Sequence, residues 1–114
     1  MPQAILIYET VTERGRSVVT AEMDNGSLVL RGEDTGSQVK SSFGVAAYEY
    51  GVVVTGLQVS KLLVLLDRSP SDAPALPQIL RRRFDEGVHD SFEDFRRWLK
   101  SNRIRSEFWS RIDD

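Results

Sequence analysis

The chain contains no cysteine and only one histidine among its 114 residues. Without a thiol, it can form no disulfide, no thiolate nucleophile and no zinc site of the cysteine-containing kinds. A zinc site needs three or four ligands, so His89 alone cannot nucleate one. We therefore expect no metal and no cofactor, and we interpret His89 as a solvated loop residue beside a helix cap.

Long hydrophobic runs are also missing. The longest apolar stretch, from Leu62 to Leu66, is far shorter than the roughly 20 residues that a membrane-spanning helix needs. The first residues lack the basic region and apolar core of a signal peptide. Together with the absence of cysteine, this predicts a cytoplasmic protein with no membrane partner. A length of 114 residues is typical of one domain, here residues 1–114.

The common catalytic motifs are absent as well. No serine stands in a Gly-x-Ser-x-Gly elbow, and the glycines do not have phosphate-loop or dinucleotide-binding spacing. The carboxylates at 33–34 and 93–94 are adjacent, so they point in different directions and serve caps or turns. We therefore predict that the protein is not an enzyme. A site assembled from residues distant in sequence is the alternative.

Alternating apolar residues in the first half of the chain predict four β-strands. They are expected over residues 5–12, 17–23, 27–32 and 45–55. The Asn25-Gly26 pair favours a type I′ hairpin between the second and third strands, because both central residues of that turn need positive φ. Tyr48 and Tyr50 fall on one face of the last of these strands, since side chains alternate along a strand.

Two details of the first half follow from the same local reasoning. Simple alternation in the first strand places Tyr8 on the face opposite Ile7. Residues 33–44 fit a short helix capped by Asp34 or Thr35. We predict a helix there, between the third and fourth strands.

The hydrophobic period changes to three and four after residue 56, which predicts amphipathic helices. They are expected over 57–66, from Pro77 to a stop at Gly87, and from a capping box at Asp90 and Glu93 to a left-handed stop at Asn102. Alternation over residues 104–109 predicts one more strand. The expected fold is α+β, a mostly antiparallel sheet of four to five strands with two to three helices packed on one face.

Charge is unevenly distributed along this pattern. Residues 78–105 contain eight basic and five acidic residues, whereas the rest of the chain contains seven basic and twelve acidic ones. The stem of Arg83 should cover apolar surface beside the core stripe. The remaining candidates for an anion-binding patch are Arg81, Arg82, Arg96, Arg97 and Lys100. Two ordinary solvated helix faces are the alternative interpretation.

Aromatic residues form a second candidate surface, because aromatics and arginine are enriched in binding hot spots. Tyr48 and Tyr50 are candidates on the long strand, and Trp109 is expected to be partly exposed. We assign Phe92, Phe95 and Phe108 to the core.

Three stretches together suggest a resemblance. They are Gly26 to Gly36, Tyr48-Glu49-Tyr50, and Glu107-Phe108-Trp109-Ser110 after a phenylalanine-rich helix. The arrangement resembles a group of small bacterial proteins from GC-rich genomes to which no activity is assigned. The resemblance covers nearly the whole chain and implies no functional residue.

The sequence leads to three hypotheses of function. The first is a non-enzymatic protein-binding or regulatory module that acts through charge complementarity, with bacterial immunity proteins as an analogy of size and class only. The second is a nucleic-acid-binding accessory protein that uses the basic helices, with Arg103 and Arg105 added to the arginines named above. The third is a small-ligand-binding or enzymatic cleft that holds Glu49 or Tyr48. An exposed edge strand could also make a dimer.

Overall fold

The computed structural model describes residues 3–36 and 47–113, which form a sheet and a helical layer. The strands are β1 (Ile5–Thr12), β2 (Gly15–Asp24), β3 (Ser27–Thr35), β4 (Ala47–Val54) and β5 (Glu107–Asp113). The helices are α1 (Gly56–Leu65), α2 (Leu76–Asp85) and α3 (Phe92–Ser101), and a 3-10 helix spans Pro70–Ala75. The predicted α+β class is confirmed. No helix within the described residues has the length and apolar character needed to cross a bilayer.

The sheet is antiparallel throughout, and its strands lie in chain order from β1 to β5. The hairpin at Asn25 and Gly26 is confirmed, with φ of 50° and 81° at these two residues. β4 lies between β3 and β5, which explains why its residues are apolar on both faces near its end. The meander leaves β1 and β5 as the edges.

The core lies between one face of the sheet and the helices. Apolar side chains of both layers are fully buried there, among them Val19, Leu28, Leu30, Val52, Leu62, Leu80, Phe95 and Leu99. The helical stripes predicted from the period of three and four therefore face the sheet. Burial of one such side chain contributes roughly 1.5–3 kcal/mol to folding.

The first strand departs from simple alternation. The register between β1 and β2 shifts between Leu6 and Tyr8. Ile7 is buried, and Tyr8 also packs against the core, so the prediction that they face opposite ways is wrong. A bulge adds one residue to a strand and changes which way the following side chains point. As a result, the Tyr8 ring stacks on Phe84 at a centroid separation of 5.4 Å.

The predicted helix at residues 33–44 is wrong at its beginning. Asp34 and Thr35 belong to β3, where they pair with Tyr48 and Ala47 of β4. The rest of that prediction, residues 37–44, lies outside the described residues.

The boundaries of the last helix also differ from the prediction. Its N-cap is Ser91, whose hydroxyl accepts a hydrogen bond from the backbone nitrogen of Asp94 at 3.1 Å. The Asp94 carboxylate accepts from the Asp90 backbone nitrogen, so the cap is one residue later than predicted. At the other end, the left-handed residue is Arg103 rather than Asn102.

Candidate binding sites

The structure separates the candidate residues into four places. Tyr48 and Tyr50 line a cleft at one end of the sheet. Arg96, Arg97 and Lys100 line a groove along α3. Arg81 and Arg82 are exposed on α2, and Trp109 lies on β5.

The first site, which we call the aromatic cleft, has a volume of about 370 Å³. Its lining combines five aromatic rings, three carboxylates and three hydroxyls. They belong to Tyr8, Tyr48, Tyr50, Phe92, Phe108, Asp34, Asp90, Glu93, Thr10, Ser17 and Ser91. No basic residue of the described chain lines it. The size is within the usual range for small-ligand pockets, and the charge of the lining is negative.

One row of paired residues runs across the sheet through this cleft. Thr10 pairs with Ser17, Ser17 with Asp34, and Asp34 with Tyr48. The row therefore places one carboxylate between two hydroxyls and a phenol ring. Because the four side chains come from four strands, their proximity depends on the register of the whole sheet.

Asp34 and Tyr50 are linked inside the cleft. The Tyr50 hydroxyl donates a hydrogen bond to Asp34 Oδ1 at 2.9 Å. Burial raises the pKa of Tyr50, and the hydrogen bond to Asp34 and its charge raise it further. The phenol therefore stays protonated and holds the carboxylate in place. Within the described residues, Asp34 Oδ2 has no hydrogen-bond partner, so it can accept from a ligand.

A glycine makes room for the Tyr50 ring. Gly32 pairs with Tyr50 across β3 and β4. A Cβ at Gly32 would overlap the Tyr50 ring and approach its hydroxyl to 2.7 Å. The ring thus lies over the glycine backbone, which directs its hydroxyl toward Asp34. Sequence alone gave no sign of this role for Gly32.

Tyr8 connects the sheet to the start of α3. Its hydroxyl accepts a hydrogen bond from the Phe92 backbone nitrogen at 2.9 Å. Burial raises the pKa of Tyr8, while that hydrogen bond acts in the opposite direction. Sequence reasoning missed Tyr8, because the β1 bulge that turns it into the cleft has no local signature.

The second site, which we call the basic groove, has a volume of about 610 Å³. It is lined by Glu93, Arg96, Arg97, Lys100, Arg103, Ile104, Arg105 and Ser106. The three basic residues of α3 thus line one groove. Arg103 and Arg105, from the chain after α3, extend the same surface.

Two of the groove's cations are paired and three are not. Arg96 Nη1 donates to both carboxylate oxygens of Glu93 at 3.0 and 3.1 Å, and its guanidinium carbon lies 3.8 Å from the Phe108 ring centroid. Arg97 lies 3.9 Å from Asp94. Lys100, Arg103 and Arg105 form no ion pair with any described residue.

The ion pairs on α3 join residues three apart. A spacing of four, as between Glu93 and Arg97, also brings two side chains together on a helix face. The structure instead pairs each arginine with the acid three residues before it. Arg96 is drawn to Glu93 because it also stacks on Phe108. Phe108 itself is 42% exposed, so its assignment to the core is wrong.

The arginines of α2 do not line the basic groove. Arg81 lies 3.9 Å from Asp85, and Arg82 lines a separate depression with Arg68 and Glu86. The five candidate cations of the two helices therefore line different surfaces. Only the three on α3 remain together.

His89 is buried, contrary to its interpretation as a solvated residue. Its exposed fraction is 2%, and its ring packs against Phe84, Phe95 and Trp98. Arg83 Nε donates to His89 Nε2 at 3.1 Å. Burial lowers the pKa of His89, and the charge of Arg83 lowers it further. The neutral imidazole thus accepts from Arg83.

Across 3–36 and 47–113, no group of three or more histidine, cysteine or carboxylate side chains is close enough to hold a metal ion.

The opposite face of the sheet holds the remaining candidates. Trp109 is half-buried there, and a Cβ at Gly51 would overlap its ring. Arg31 lies over that ring, 5.8 Å from its centroid. On the same face, Arg111 Nη2 donates a hydrogen bond to Glu49 Oε2 at 2.6 Å. Glu49 therefore does not share the cleft with Tyr48.

The chain matches no protein-family model, and comparison with curated proteins and with solved structures finds no significant similarity. The geometry of the aromatic cleft and the basic groove is therefore the basis for any functional conclusion.

Proposed function

We propose that this protein is a non-enzymatic module that binds another protein in the cytoplasm, and that the aromatic cleft takes an arginine side chain of that partner. The observation that carries this proposal is the lining of the cleft. Three carboxylates and five aromatic rings line it, and no described cation is among its lining residues, while Arg96 pairs with Glu93 at its edge. Such a surface attracts positive charge and disfavours anions.

The chemistry of the lining fits a guanidinium group. Aromatic faces attract cations, with arginine the most frequent partner. A carboxylate can accept two hydrogen bonds from the planar guanidinium fork. At the edge of the cleft, Arg96 already makes this combination, with Glu93 as the carboxylate and Phe108 as the ring. Asp34 with Tyr48 offers the same combination deeper in the cleft.

The state of the phenols favours binding over catalysis. The raised pKa of Tyr50 keeps its hydroxyl protonated, so it is poorly suited to accept or release a proton near neutral pH. Its hydrogen bond fixes Asp34 in one orientation before any ligand arrives. A preorganised carboxylate loses less freedom on binding.

The test is a titration with a capped glycine-arginine-glycine peptide, followed by NMR chemical shifts and by calorimetry. We expect shift changes at residues of the aromatic cleft. Asp34→Asn should weaken binding at least about tenfold, because a charge-assisted hydrogen bond contributes about 1.5–3 kcal/mol. The matched control is Glu33→Gln, which removes the same charge from the neighbouring exposed residue.

Equal losses of peptide affinity in Asp34→Asn and Glu33→Gln would show that only net charge matters, and this would contradict the proposal. So would the absence of cleft shifts at millimolar peptide. A second candidate function, binding of a free organic cation, is favoured by the cleft volume of about 370 Å³. Agmatine, which carries a guanidinium without a peptide, distinguishes the two, since tighter binding of agmatine would support the small-ligand function.

A further inference from the structure

The three α-helices of the described residues all end in the same backbone arrangement. In each, a residue with positive φ follows the last helical turn, and two backbone hydrogen bonds close the end. That residue is Asp67 after α1 (φ 57°), Gly87 after α2 (φ 78°) and Arg103 after α3 (φ 60°). After α3, the Arg103 nitrogen donates to the Lys100 carbonyl at 3.0 Å and the Ile104 nitrogen to the Leu99 carbonyl at 2.9 Å.

Arginine is the unexpected residue in this series. Glycine adopts the left-handed conformation without a steric penalty, and aspartate tolerates it because its short polar side chain can bond locally. Arginine has neither advantage. The Arg103 side chain is exposed and forms no hydrogen bond or ion pair within the described part of the chain. The Arg103 side chain therefore adds no contact of its own that offsets the strain at this position.

The helix dipole does not account for Arg103. A cation near the last turn of a helix is favourable, but Lys100 already supplies one there. That interaction also does not require a left-handed residue. Strained backbone at an exposed, charged residue is instead a pattern found at binding sites.

The chain around Arg103 is held firmly. Ile104 is 4% exposed and belongs to the core. The Arg105 nitrogen donates to Gln58 Oε1 of α1 at 2.8 Å. These two anchors fix the backbone on which Arg103 and Arg105 project into the basic groove. Their charges are thus positioned before a ligand binds.

We propose that the basic groove is a second binding site that takes an acidic segment of a partner protein, with Arg103 as a contact residue retained at the expense of stability. Lys100, Arg103 and Arg105 have no ionic partner among the described residues and face the groove together. A run of carboxylates would neutralise them. This site differs from the aromatic cleft in the sign of its charge and in its residues, apart from Glu93 at their border.

A peptide fits these observations better than nucleic acid. Proteins that hold single strands usually stack bases on aromatic rings. Among the residues that the structure describes, no aromatic residue lines the groove, and the adjacent Phe108 ring is covered by the Arg96 guanidinium. The net charge of -2 also gives the chain no overall attraction to a long polyanion.

The test measures the binding of a fluorescein-labelled octaglutamate peptide by anisotropy, together with the melting temperature. Arg103→Gly should weaken peptide binding about tenfold, because one positive charge is lost. It should also raise the melting temperature by about 4 °C or more, because backbone strain is removed. Arg103→Lys retains the charge and should bind within about threefold of the wild type without a rise in melting temperature. The matched control is Asp67→Gly, which relieves the equivalent position after α1 and should leave binding unchanged.

Four outcomes would overturn the proposal. The first is a wild-type chain that shows no anisotropy change up to millimolar peptide. The second and third are an Arg103→Gly variant that binds octaglutamate as well as the wild type does, and one that loses binding without gaining stability. The fourth concerns nucleic acid. A single-stranded oligonucleotide of the same charge that binds more tightly than octaglutamate would assign the groove to nucleic acid instead.

Discussion

His89 shows what a single buried titratable residue does in this fold. It is enclosed by three aromatic rings and accepts a hydrogen bond from Arg83. Arg83 also lies over the Trp98 ring, with its guanidinium carbon 4.9 Å from the centroid. The arrangement requires a neutral imidazole, because a protonated Nε2 could not accept from Arg83.

This makes stability dependent on pH. The pKa of His89 is lower in the folded chain than its unfolded value of about 6.5, so the unfolded state takes up the proton first as pH falls. The stabilisation is present above about pH 6.5 and is lost as pH falls toward the folded pKa. The free energy of unfolding should therefore rise with pH, and this one group contributes a slope of at most about 1.4 kcal/mol per pH unit.

Urea unfolding between pH 7.5 and 5.5 measures that slope. His89→Gln removes the titrating group, so its free energy of unfolding should depend less on pH across that range. A slope of the same size in His89→Gln would assign the dependence to other groups.

At the scale of elements, α3 connects the two candidate sites. Its first residues line the aromatic cleft, and its last turn lines the basic groove. Arg96 lies between them, bonded to Glu93 and stacked on Phe108. It therefore covers one ring and one carboxylate of the cleft while adding charge to the groove.

Replacing Arg96 should change the two sites in opposite directions. In Arg96→Gln, the Phe108 ring and the Glu93 carboxylate become available, so the cleft should bind the arginine peptide roughly two- to fivefold more tightly, as expected for a contact of about 0.5–1 kcal/mol. The groove should bind octaglutamate more weakly. Titration of each peptide by anisotropy or calorimetry measures both effects.

Arg97→Gln is the control for that experiment. Arg97 lines the groove but not the cleft. Its replacement should therefore weaken the binding of octaglutamate and leave the affinity for the arginine peptide within twofold of the wild-type value. If Arg96→Gln weakened both peptides, the guanidinium would not be competing for the cleft.

For the whole molecule, the main property is two surfaces of opposite charge that meet at Glu93, with the basic groove extending from there along α3 to Arg105. A helix of ten residues is about 15 Å long, a distance that about five residues of extended peptide can span. One partner segment could therefore reach both sites. Linked binding of this kind raises affinity without new contacts.

A peptide with an arginine, a spacer of about five residues and an acidic run should therefore bind at least about tenfold more tightly than either half alone. Calorimetry with spacers of two, five and ten residues measures the dependence on length. Affinity that stays equal to that of the stronger half at every spacer would show that the two sites do not act on one partner.

Local sequence patterns accounted for the elements of the fold. The Asn25-Gly26 hairpin, the stripe of Leu62 and Leu63, and the stop at Gly87 were all predicted from neighbouring residues. Local prediction works for these features because turn conformation and side-chain periodicity are set within a few residues. The α+β class followed from the order of these elements.

The candidate sites were predicted only in part. Tyr48, Tyr50 and the cations of α3 were chosen from composition and exposure, and they do line the two surfaces. The partners that complete the cleft were missed: Tyr8, Asp34 and Gly32. Asp34 was assigned to a helix cap, because nothing local shows that β3 continues through Thr35.

The sequence by itself determined which elements form, which of their faces are apolar, and where charge accumulates. Only the tertiary structure decided that His89 is buried, that Phe108 is exposed, and that all five strands and the start of α3 meet at one cleft. The physical reason is that periodicity reports on one element at a time. The register of four strands and a bulge in β1 depend on contacts between residues far apart in the chain.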